Sequence, residues 1–324
     1  MTTISIVTFI SGDETFSDNF SKLCAMIANS GFLVDAIVYC DHALSNQKHN
    51  QCQCRYLNTL GYTKYARIQA AVRDARSDFL LFVDNDLQSD CAACLQFIRD
   101  CLAAKCYVAW GRIGSVATPG IVPGMIQNDK RLSHDFIRPF LWSIHLGVSI
   151  PGQLFMMDRH FAELYLPSED TIFDDLTIGI AARIHHVRVF ASRTVLGYES
   201  PKITVEGLVR QRCRWAKGFA QVFDANFGKS SLLFVIIHAL AYHFLWIPFL
   251  LFFAFLLLHP LAAFVCLLCF TYWLARYKVK NIPISILYII VFPFFHFVWI
   301  IFFLIAYVKI LKNKKCLIRE PPQK

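Results

Sequence analysis

Two groups of acidic residues in this sequence stand where they could hold a cation and take up a proton. Asp84 and Asp86 follow the apolar run Phe79–Val83, and on a turn both carboxylates can face one ion while the residue between them points away. Hard divalent cations prefer oxygen ligands, and such a cation neutralises the charge that develops on a departing phosphate. Asp174 and Asp175 form a second acidic pair, and a carboxylate of this kind can accept the proton of an attacking hydroxyl.

A third candidate site is the segment Gln211-Arg212-Cys213-Arg214-Trp215. Gln211 and Arg214 are three residues apart, so on a helix they share one face and can reach the same ligand. The planar guanidinium of arginine donates two parallel hydrogen bonds, which suits a phosphate group. Trp215 points about 100° further round the helix and offers a flat apolar face for stacking.

In this order, the acidic residues and the Gln-x-x-Arg-Trp segment at the edge of a long apolar region resemble the membrane-bound branch of glycosyltransferase family 2. This branch contains the cellulose, chitin and hyaluronan synthases, and the resemblance covers roughly residues 4–219. It implies an α/β fold, with a GT-A type doubly wound catalytic domain followed by a C-terminal α-helical transmembrane region. It also implies inverting transfer of a sugar from a nucleotide-diphosphate sugar, expected to be a UDP-sugar, to a polysaccharide or lipid acceptor, with a β-linked product.

The resemblance further implies roles for individual residues. Asp84 and Asp86 would bind the metal, Mg or Mn, and Asp175 would be the catalytic base beside Asp174. Asp41 would contact the nucleotide, although relatives often have two acids in a row where this chain has Asp41-His42. The residues expected on the donor and its diphosphate are Asp41, Lys64, Asp84, Gln211 and Arg214, and those expected on the acceptor side are Trp215, Gly152 and Gln153.

Three of these assignments have alternatives that the sequence leaves open. Lys64 and Arg67 could instead form a solvated basic helix face. The pair Glu169-Asp170 competes with Asp174-Asp175 for the base, which we assign to Asp175 because Leu-Thr and a helical stretch follow it as in the relatives. The third alternative is an interfacial basic helix anchored by its tryptophan, made of Arg210, Arg212, Arg214, Lys217 and Trp215.

The first part of the chain alternates short continuous apolar runs with helical stretches. Runs over residues 4–9, 33–39 and 79–83 are typical of buried strands, and residues 18–30 and 64–75 have the pattern of helices. This alternation predicts a doubly wound α/β domain over residues 1–228, in which ligands bind at the carboxyl ends of the strands. Asp41, Asp84 and Asp86 follow predicted strands and should lie at that edge.

Residues 229–311 are predicted to form about three transmembrane helices, and residues 312–324 a basic tail. The apolar stretches are 232–258, 261–275 and 282–308, and the last is expected to be broken by Pro293. A third full crossing would place the cluster between Lys309 and Lys315 outside, against the positive-inside tendency, so one stretch is expected to lie in the interface or re-enter. From Arg276 onward there are nine basic residues and one acid, nearly the whole net charge of +9, which indicates anionic lipid as the partner.

Residues 4–10 are too short for a signal-peptide core, so we expect no targeting segment and cysteines that are thiols in a reducing cytosol. Cys91, Cys94, Cys101 and Cys106 could suggest a metal site. The residues that recur at three- and four-residue steps are Cys91, Cys94, Ile98, Cys101, Leu102 and Lys105, and ligands strung along one helix cannot surround one zinc ion. We therefore interpret them as part of a helix that faces the core.

The expected location is a bacterial inner membrane, with the catalytic domain in the cytosol. Polymer synthases of this branch usually have transmembrane helices before the catalytic domain, whereas this chain starts with its first strand. Export of a polymer would then need a homo-oligomer or an export partner, and the alternative is a single-sugar glycolipid synthase similar to ceramide glucosyltransferases. A non-catalytic membrane scaffold is a further alternative. Nucleic acid is not expected as a partner, because residues 1–228 are neutral overall.

Overall fold

The computed structural model describes residues 2–11, 14–41, 54–201, 203–244, 246–276 and 282–319. The first half of the region 1–228 alternates strands and helices as predicted. In chain order its elements are β1 (Thr3–Ile10), α1 (Asp18–Asn29), β2 (Leu33–Cys40), β3 (Cys54–Asn58), α2 (Lys64–Asp74), β4 (Phe79–Val83), β5 (Gln88–Ser89), α3 (Cys91–Ala104) and β6 (Val108–Ser115).

The second half has more helix. Helix α4 (Ile121–Arg131) continues through a π-helical turn, Leu132–Ile137, into α5 (Arg138–Ser143). The remaining elements are β7 (Leu154–Asp158), α6 (Arg159–Tyr165), α7 (Asp174–Ile184), β8 (Val189–Glu199), α8 (Val205–Asn226), α9 (Leu232–Tyr242), α10 (Trp246–Leu258), α11 (Pro260–Arg276) and α12 (Ile282–Arg319).

Within the described residues, the strands form one sheet in the order β3-β2-β1-β4-β7-β6-β8-β5. Strands β3, β2, β1 and β4 are parallel, as a doubly wound domain requires, but β7 runs antiparallel to both β4 and β6. The predicted doubly wound sheet is therefore wrong for the second half, where the sheet is mixed. Leu154 to Met157 is a continuous apolar run, and such a run fits either strand direction.

Apolar side chains cover both faces of the sheet. Ile4 and Ile6 of β1 pack on one face with α1 and α3, and Val7 and Phe9 pack on the other face with α2, α5 and α7. Cys94 and Cys101 lie in the first of these cores, as the helical interpretation of the cysteines predicts. This two-sided burial fixes the strand ends that carry the acidic residues.

The apolar C-terminal region differs from the prediction in two places. The stretch 232–258 is two helices, because α9 ends at Tyr242 and the ring of His243 stacks on Trp299 of α12 with 3.6 Å between ring centroids. Helix α12 is continuous through Pro293, so the predicted break is absent, and it extends through residues 312–319 of the predicted tail. Residues 277–281, with Lys278 and Lys280, and the end of the tail at 320–324 lie outside the described residues.

One helical window in the described part of the chain, His296–Asn313, is long and apolar enough to cross a bilayer by length and composition. Helix α9 has 11 residues and spans about 16 Å, too short for a hydrocarbon core of about 30 Å. The inner side of α12 packs on α8 through buried aromatic residues, including Phe219 and Trp299. This packing joins the apolar region to the helix that carries the Gln-x-x-Arg-Trp segment.

Candidate active site

Lys64 lies at the centre of an acidic cluster at the carboxyl end of β4. Its Nζ donates to Asp84 Oδ1 at 2.6 Å and to the carbonyl oxygen of Gly152 at 2.8 Å, and it lies 3.9 Å from Asp174 Oδ2. The N-cap Thr63 starts α2 at this point by accepting the N–H of Ala66, so Lys64 is the first helical residue and extends over the strand ends. Lys64 is therefore not part of a solvated helix face.

The cluster holds more negative than positive charge, and the pKa values reflect this. Burial raises the pKa of Asp84 to about 6, against the opposing effect of Lys64. Burial would lower the pKa of Lys64, but Asp84 and Asp174 together raise it above its ordinary value. The pKa of Asp84 thus rises mainly through burial, and that of Lys64 rises because several carboxylates surround one ammonium group.

Asp174 and Asp175 begin α7, where the positive end of the helix dipole favours negative charge. Asp175 Oδ1 accepts the N–H of Leu176 at 2.8 Å. Its pKa is raised to about 7, first by burial and then by the charge of Asp174. A carboxyl group with this pKa can accept and release a proton near neutral pH.

Gly152 lies directly against this pair. A Cβ at Gly152 would stand 3.4 Å from Asp175 Cβ and 3.6 Å from its Oδ2, so the glycine leaves the carboxylate open on that side. The next residue, Gln153, accepts the N–H of Asp84 on its carbonyl oxygen at 2.8 Å. The segment that carries Gly152 and Gln153 therefore joins the two acidic groups.

The competing acid, Asp170, makes structural contacts. Its Oδ1 accepts from Thr63 Oγ1 and from the N–H of Thr171, and the residue is exposed. These bonds fasten the loop before α7 to the start of α2. Asp170 therefore has a role in holding this loop, whereas Asp175 lies against Gly152 beside the acidic cluster.

Asp86 is exposed, whereas Asn85 is buried and points away from it, as the turn predicts. Asn85 Oδ1 accepts the N–H of Ser17 and its Nδ2 donates to the carbonyl oxygen of Thr15, both at 2.9 Å. These bonds attach the turn to the loop before α1. Asp84 and Asp86 remain on the open side of the turn.

Asp41, at the carboxyl end of β2, forms an ion pair with Arg67 of α2. Arg67 is 3% exposed and also donates to the carbonyl oxygen of Ile10 and to Ser11 Oγ. Arg67 therefore lies neither on a solvated face nor beside the acidic cluster at Lys64. Its contacts connect the ends of β1 and β2 at the edge where the sequence places the nucleotide.

The Gln-x-x-Arg-Trp segment lies in α8, and its arginines have two different environments. Arg214 is exposed, as are Arg210 and Lys217, but Arg212 is buried and forms an ion pair with Asp129 of α4 at 2.5 Å. The guanidinium of Arg212 also lies over the Trp215 ring, 4.5 Å from its centroid. The alternative of a wholly interfacial basic helix is thus wrong for Arg212.

Two residues beside the cluster were not singled out from the sequence. Lys130 Nζ lies 2.5 Å from Glu199 Oε1 at the end of β8, and Glu199 Oε2 accepts from Gln153 Nε2 at 2.8 Å. Burial lowers the pKa of Lys130, against the opposing charges of Glu199 and Asp86. No motif marks Lys130 or Glu199, because they come together only through the packing of α4 on the sheet.

The residues described hold no preformed group of three or more His, Cys, Asp or Glu side chains that could bind a metal ion. The oxygens of Asp84 and Asp86 are nevertheless the hard ligands that Mg2+ and Mn2+ prefer. Asp84 shares the Lys64 ammonium with Asp174, and Asp86 lies exposed on the same turn. The two side chains therefore fit a divalent cation that completes its coordination with ligands from a substrate or water.

No family model matches the chain, and no curated protein matches its sequence. Its structure is similar to that of the mannosyltransferase PcManGT from Pyrobaculum calidifontis in complex with GDP-Man and Mn2+, with a TM-score of 0.53, 16% identity, and coverage of 92% of this chain and 86% of that chain.

Two further solved structures are similar at lower TM-scores. S. aureus TarS has a TM-score of 0.48 and 13% identity, over 76% of this chain and 44% of that chain. Glucosyl-3-phosphoglycerate synthase from Mycobacterium tuberculosis has a TM-score of 0.47 and 10% identity, over 69% of this chain and 79% of that chain. The likeness to the mannosyltransferase shows the fold: a mixed α/β sheet of the GT-A glycosyltransferase type.

Proposed function

We propose that this chain is a membrane-associated, inverting glycosyltransferase that uses a nucleotide-diphosphate sugar. The observation that carries the proposal is the cluster of Asp84, Asp174 and Asp175 around Lys64, at the carboxyl ends of the strands of a glycosyltransferase fold. Ligands of open α/β sheets bind at that edge. Negative charge exceeds positive charge in this cluster, which suits a reaction that needs a bound cation and a proton acceptor.

Asp84 and Asp86 would hold Mg2+ or Mn2+, and the bound cation would neutralise the charge of the departing diphosphate. Lys64 supplies a second positive charge at the same place, because it already lies within hydrogen-bond distance of Asp84. Gln211 and Arg214 of α8 are assigned to the diphosphate, and Asp41 to the nucleotide. The exposure of Arg214 leaves its guanidinium available to a ligand.

Asp175 is assigned the role of base, and burial together with the charge of Asp174 raises its pKa to about 7. The acceptor hydroxyl gives its proton to Asp175 while its oxygen attacks the anomeric carbon from the face opposite the diphosphate. A new carbon–oxygen bond forms as the bond to the diphosphate breaks. A single displacement of this kind inverts the anomeric centre, so an α-linked donor gives a β-linked product.

The acceptor is proposed to be a polysaccharide or a lipid at the cytosolic face of a membrane, with Trp215, Gly152 and Gln153 on the acceptor side. Support comes from the apolar surface of α10 to α12, where Leu257, Leu258 and Leu261 are each at least 76% exposed. Contiguous apolar surface on this scale marks a membrane or protein contact. Transfer of one sugar to a lipid is the alternative to polymer synthesis.

The test is turnover by the full-length chain in lipid nanodiscs. The protein is incubated with Mn2+ or Mg2+ and a panel of UDP- and GDP-sugars, and release of the nucleoside diphosphate is measured. Turnover that EDTA and Asp86→Ala abolish supports the proposal. Nucleotide binding without turnover on any donor would favour the non-catalytic scaffold, and mass spectrometry of the product separates single transfer from polymerisation.

A further inference from the structure

Two consecutive residues of α4 contact opposite sides of the candidate active site. Asp129 Oδ2 lies 2.5 Å from Arg212 Nη2 of α8, and its Oδ1 lies 3.6 Å from His296 Nε2 of α12. Lys130 faces the sheet instead, with Nζ 2.5 Å from Glu199 Oε1. Helix α4 therefore stands between the Gln-x-x-Arg-Trp helix and the end of β8.

These contacts form a continuous path across the site. On one side, the Trp215 ring lies under the Arg212 guanidinium, which is paired with Asp129. On the other, Lys130 is paired with Glu199, and Glu199 accepts from Gln153, whose carbonyl oxygen accepts the N–H of Asp84. Every step in this path is a hydrogen bond, an ion pair, a cation–π contact or the peptide bond between Asp129 and Lys130.

We propose that Asp129 and Lys130 are positioning residues that set the distance between Trp215 on the acceptor side and the acidic turn at Asp84 on the donor side. The inference rests on the proposed function, because it assigns a purpose to the separation of the two halves of that site. Neither residue contacts the reacting atoms. They act through Arg212 on one side and through Glu199 and Gln153 on the other.

Burial makes this arrangement rigid. Arg212 is 7% exposed and His296 is 5% exposed, and the Lys130 and Asp129 side chains are 12% and 18% exposed. Burial alone would raise the pKa of Asp129, but Arg212 and His296 hold it well below its usual range. Separation of two oppositely charged groups in such surroundings costs a large free energy. The Asp129–Arg212 and Lys130–Glu199 pairs therefore each keep a fixed separation.

The same helix offers a matched control. Glu206 and Arg210 form an i,i+4 ion pair on α8, with 78% and 74% of their side chains exposed and 3.6 Å between charged atoms. Exposed pairs of this kind contribute little to stability or orientation. Glu206→Gln therefore removes an ion pair from α8 without touching the path through α4.

The principal variant is the double substitution Asp129→Asn with Arg212→Gln, in the full-length chain in nanodiscs. It replaces the buried ion pair with two neutral amides, so neither charge is left alone and the protein keeps its fold. We expect binding of UDP or GDP with Mn2+ to stay within about threefold. Transfer to acceptor should fall by roughly 30- to 100-fold in kcat/KM, since displacements near 1 Å can cost about 10²-fold.

Transfer that stays at the wild-type rate in this variant would overturn the proposal. A parallel fall in nucleotide binding, transfer and melting temperature would also overturn it, because that result is expected of a purely structural contact. Glu206→Gln should leave all three measurements unchanged.

If the wild-type protein turns over no nucleotide sugar, that result refutes the proposed function alone. A second variant then still tests the positioning role. Lys130→Met alters the sheet side of α4 and makes no direct change to α8. We expect faster hydrogen exchange in peptides that cover residues 211–215, because loss of the Lys130–Glu199 ion pair loosens α4 and with it the contact between Asp129 and Arg212. Unchanged exchange in those peptides would refute the positioning role independently of any activity.

Discussion

Removal of the Lys64 ammonium group should destabilise the protein, and the loss should depend on pH. Lys64→Met leaves Asp84, Asp174 and Asp175 close together with their shared cation gone. Loss of one partner from a buried ion pair costs about 3–5 kcal/mol. The Lys64 and Asp84 side chains are 29% and 26% exposed, so solvent screening reduces the expected loss of stability to about 2–3 kcal/mol.

The direction of the pH dependence follows from the pKa values. Burial raises the pKa of Asp84 to about 6 and that of Asp175 to about 7, and Lys64 opposes both shifts. Without Lys64 both pKa values rise further above the value of about 3.9 for an unfolded aspartate. A carboxyl group with a raised folded-state pKa destabilises the fold while it is ionised and stops doing so when it is protonated. The deficit of Lys64→Met should therefore be full near pH 8 and shrink as the pH falls towards 5.

The assay is the melting temperature of wild type and Lys64→Met in nanodiscs at several pH values between 8 and 5. A deficit of 2–3 kcal/mol corresponds to roughly 4–12 °C at pH 8 for a domain of this size. The control is Arg55→Met, which breaks the 2.5 Å ion pair with Asp35 beside the C-terminal end of α2 and should give a deficit that is constant over this range. A Lys64→Met deficit that is equally constant, or absent, would show that Lys64 does not neutralise the acidic cluster. Millimolar Mn2+ should reduce the deficit if the cation binds the same carboxylates.

Four other substitutions test the site and its support. Asp175→Asn should lower transfer by about 10²-fold or more, with little change in nucleotide binding. Wild-type transfer should decline as the pH falls below about 7, because Asp175 is then protonated. A greater loss of transfer in Asp170→Asn than in Asp175→Asn would assign the base to the pair Glu169-Asp170. Asp86→Ala should abolish turnover and weaken nucleotide binding in the presence of Mn2+, and full activity in EDTA would contradict a metal at this turn. Gly179→Ala should prevent stable folding, because its Cβ would lie 1.8 Å from the carbonyl oxygen of Val148, and a melting temperature equal to wild type would contradict the packing of α7 on that segment.

The elements around Asp84 were predictable because strong local signals mark them. Residues 79–83 form β4 with the predicted bounds, since a short apolar run followed by two aspartates has few other interpretations. Helices α1 and α2 begin at Asp18 and Lys64, each after a hydroxyl residue that caps the helix. Each of these signals lies within a few residues of the element that it marks, so the sequence alone is enough to find it.

The contacts around Arg212 and Trp215 are long-range, and the sequence contains no sign of them. Arg212 differs from Arg214 only in the side of α8 on which it lies, and its partner is 83 positions away in the chain. Lys130 and Glu199 are likewise brought together by the packing of α4 on the sheet. The break after Tyr242 was missed because His243 and Phe244 continue an apolar stretch, while the reason for the break is a stacking partner on α12. The assigned roles of Asp41, Gln211, Arg214 and Trp215 remain predictions.

The packing of α12 on α8 also bears on how the protein is made. Phe219 is 1% exposed, and its cover includes Trp299 and Phe303, which the ribosome adds roughly 80 residues later. At about 5–20 residues per second, α8 waits on the order of 4–16 seconds with its apolar side uncovered. His296 reaches Asp129 only in the same late step. The described arrangement of α8 and Asp129 is thus complete only after α12 has been synthesised, and until then the apolar side of α8 lacks this cover.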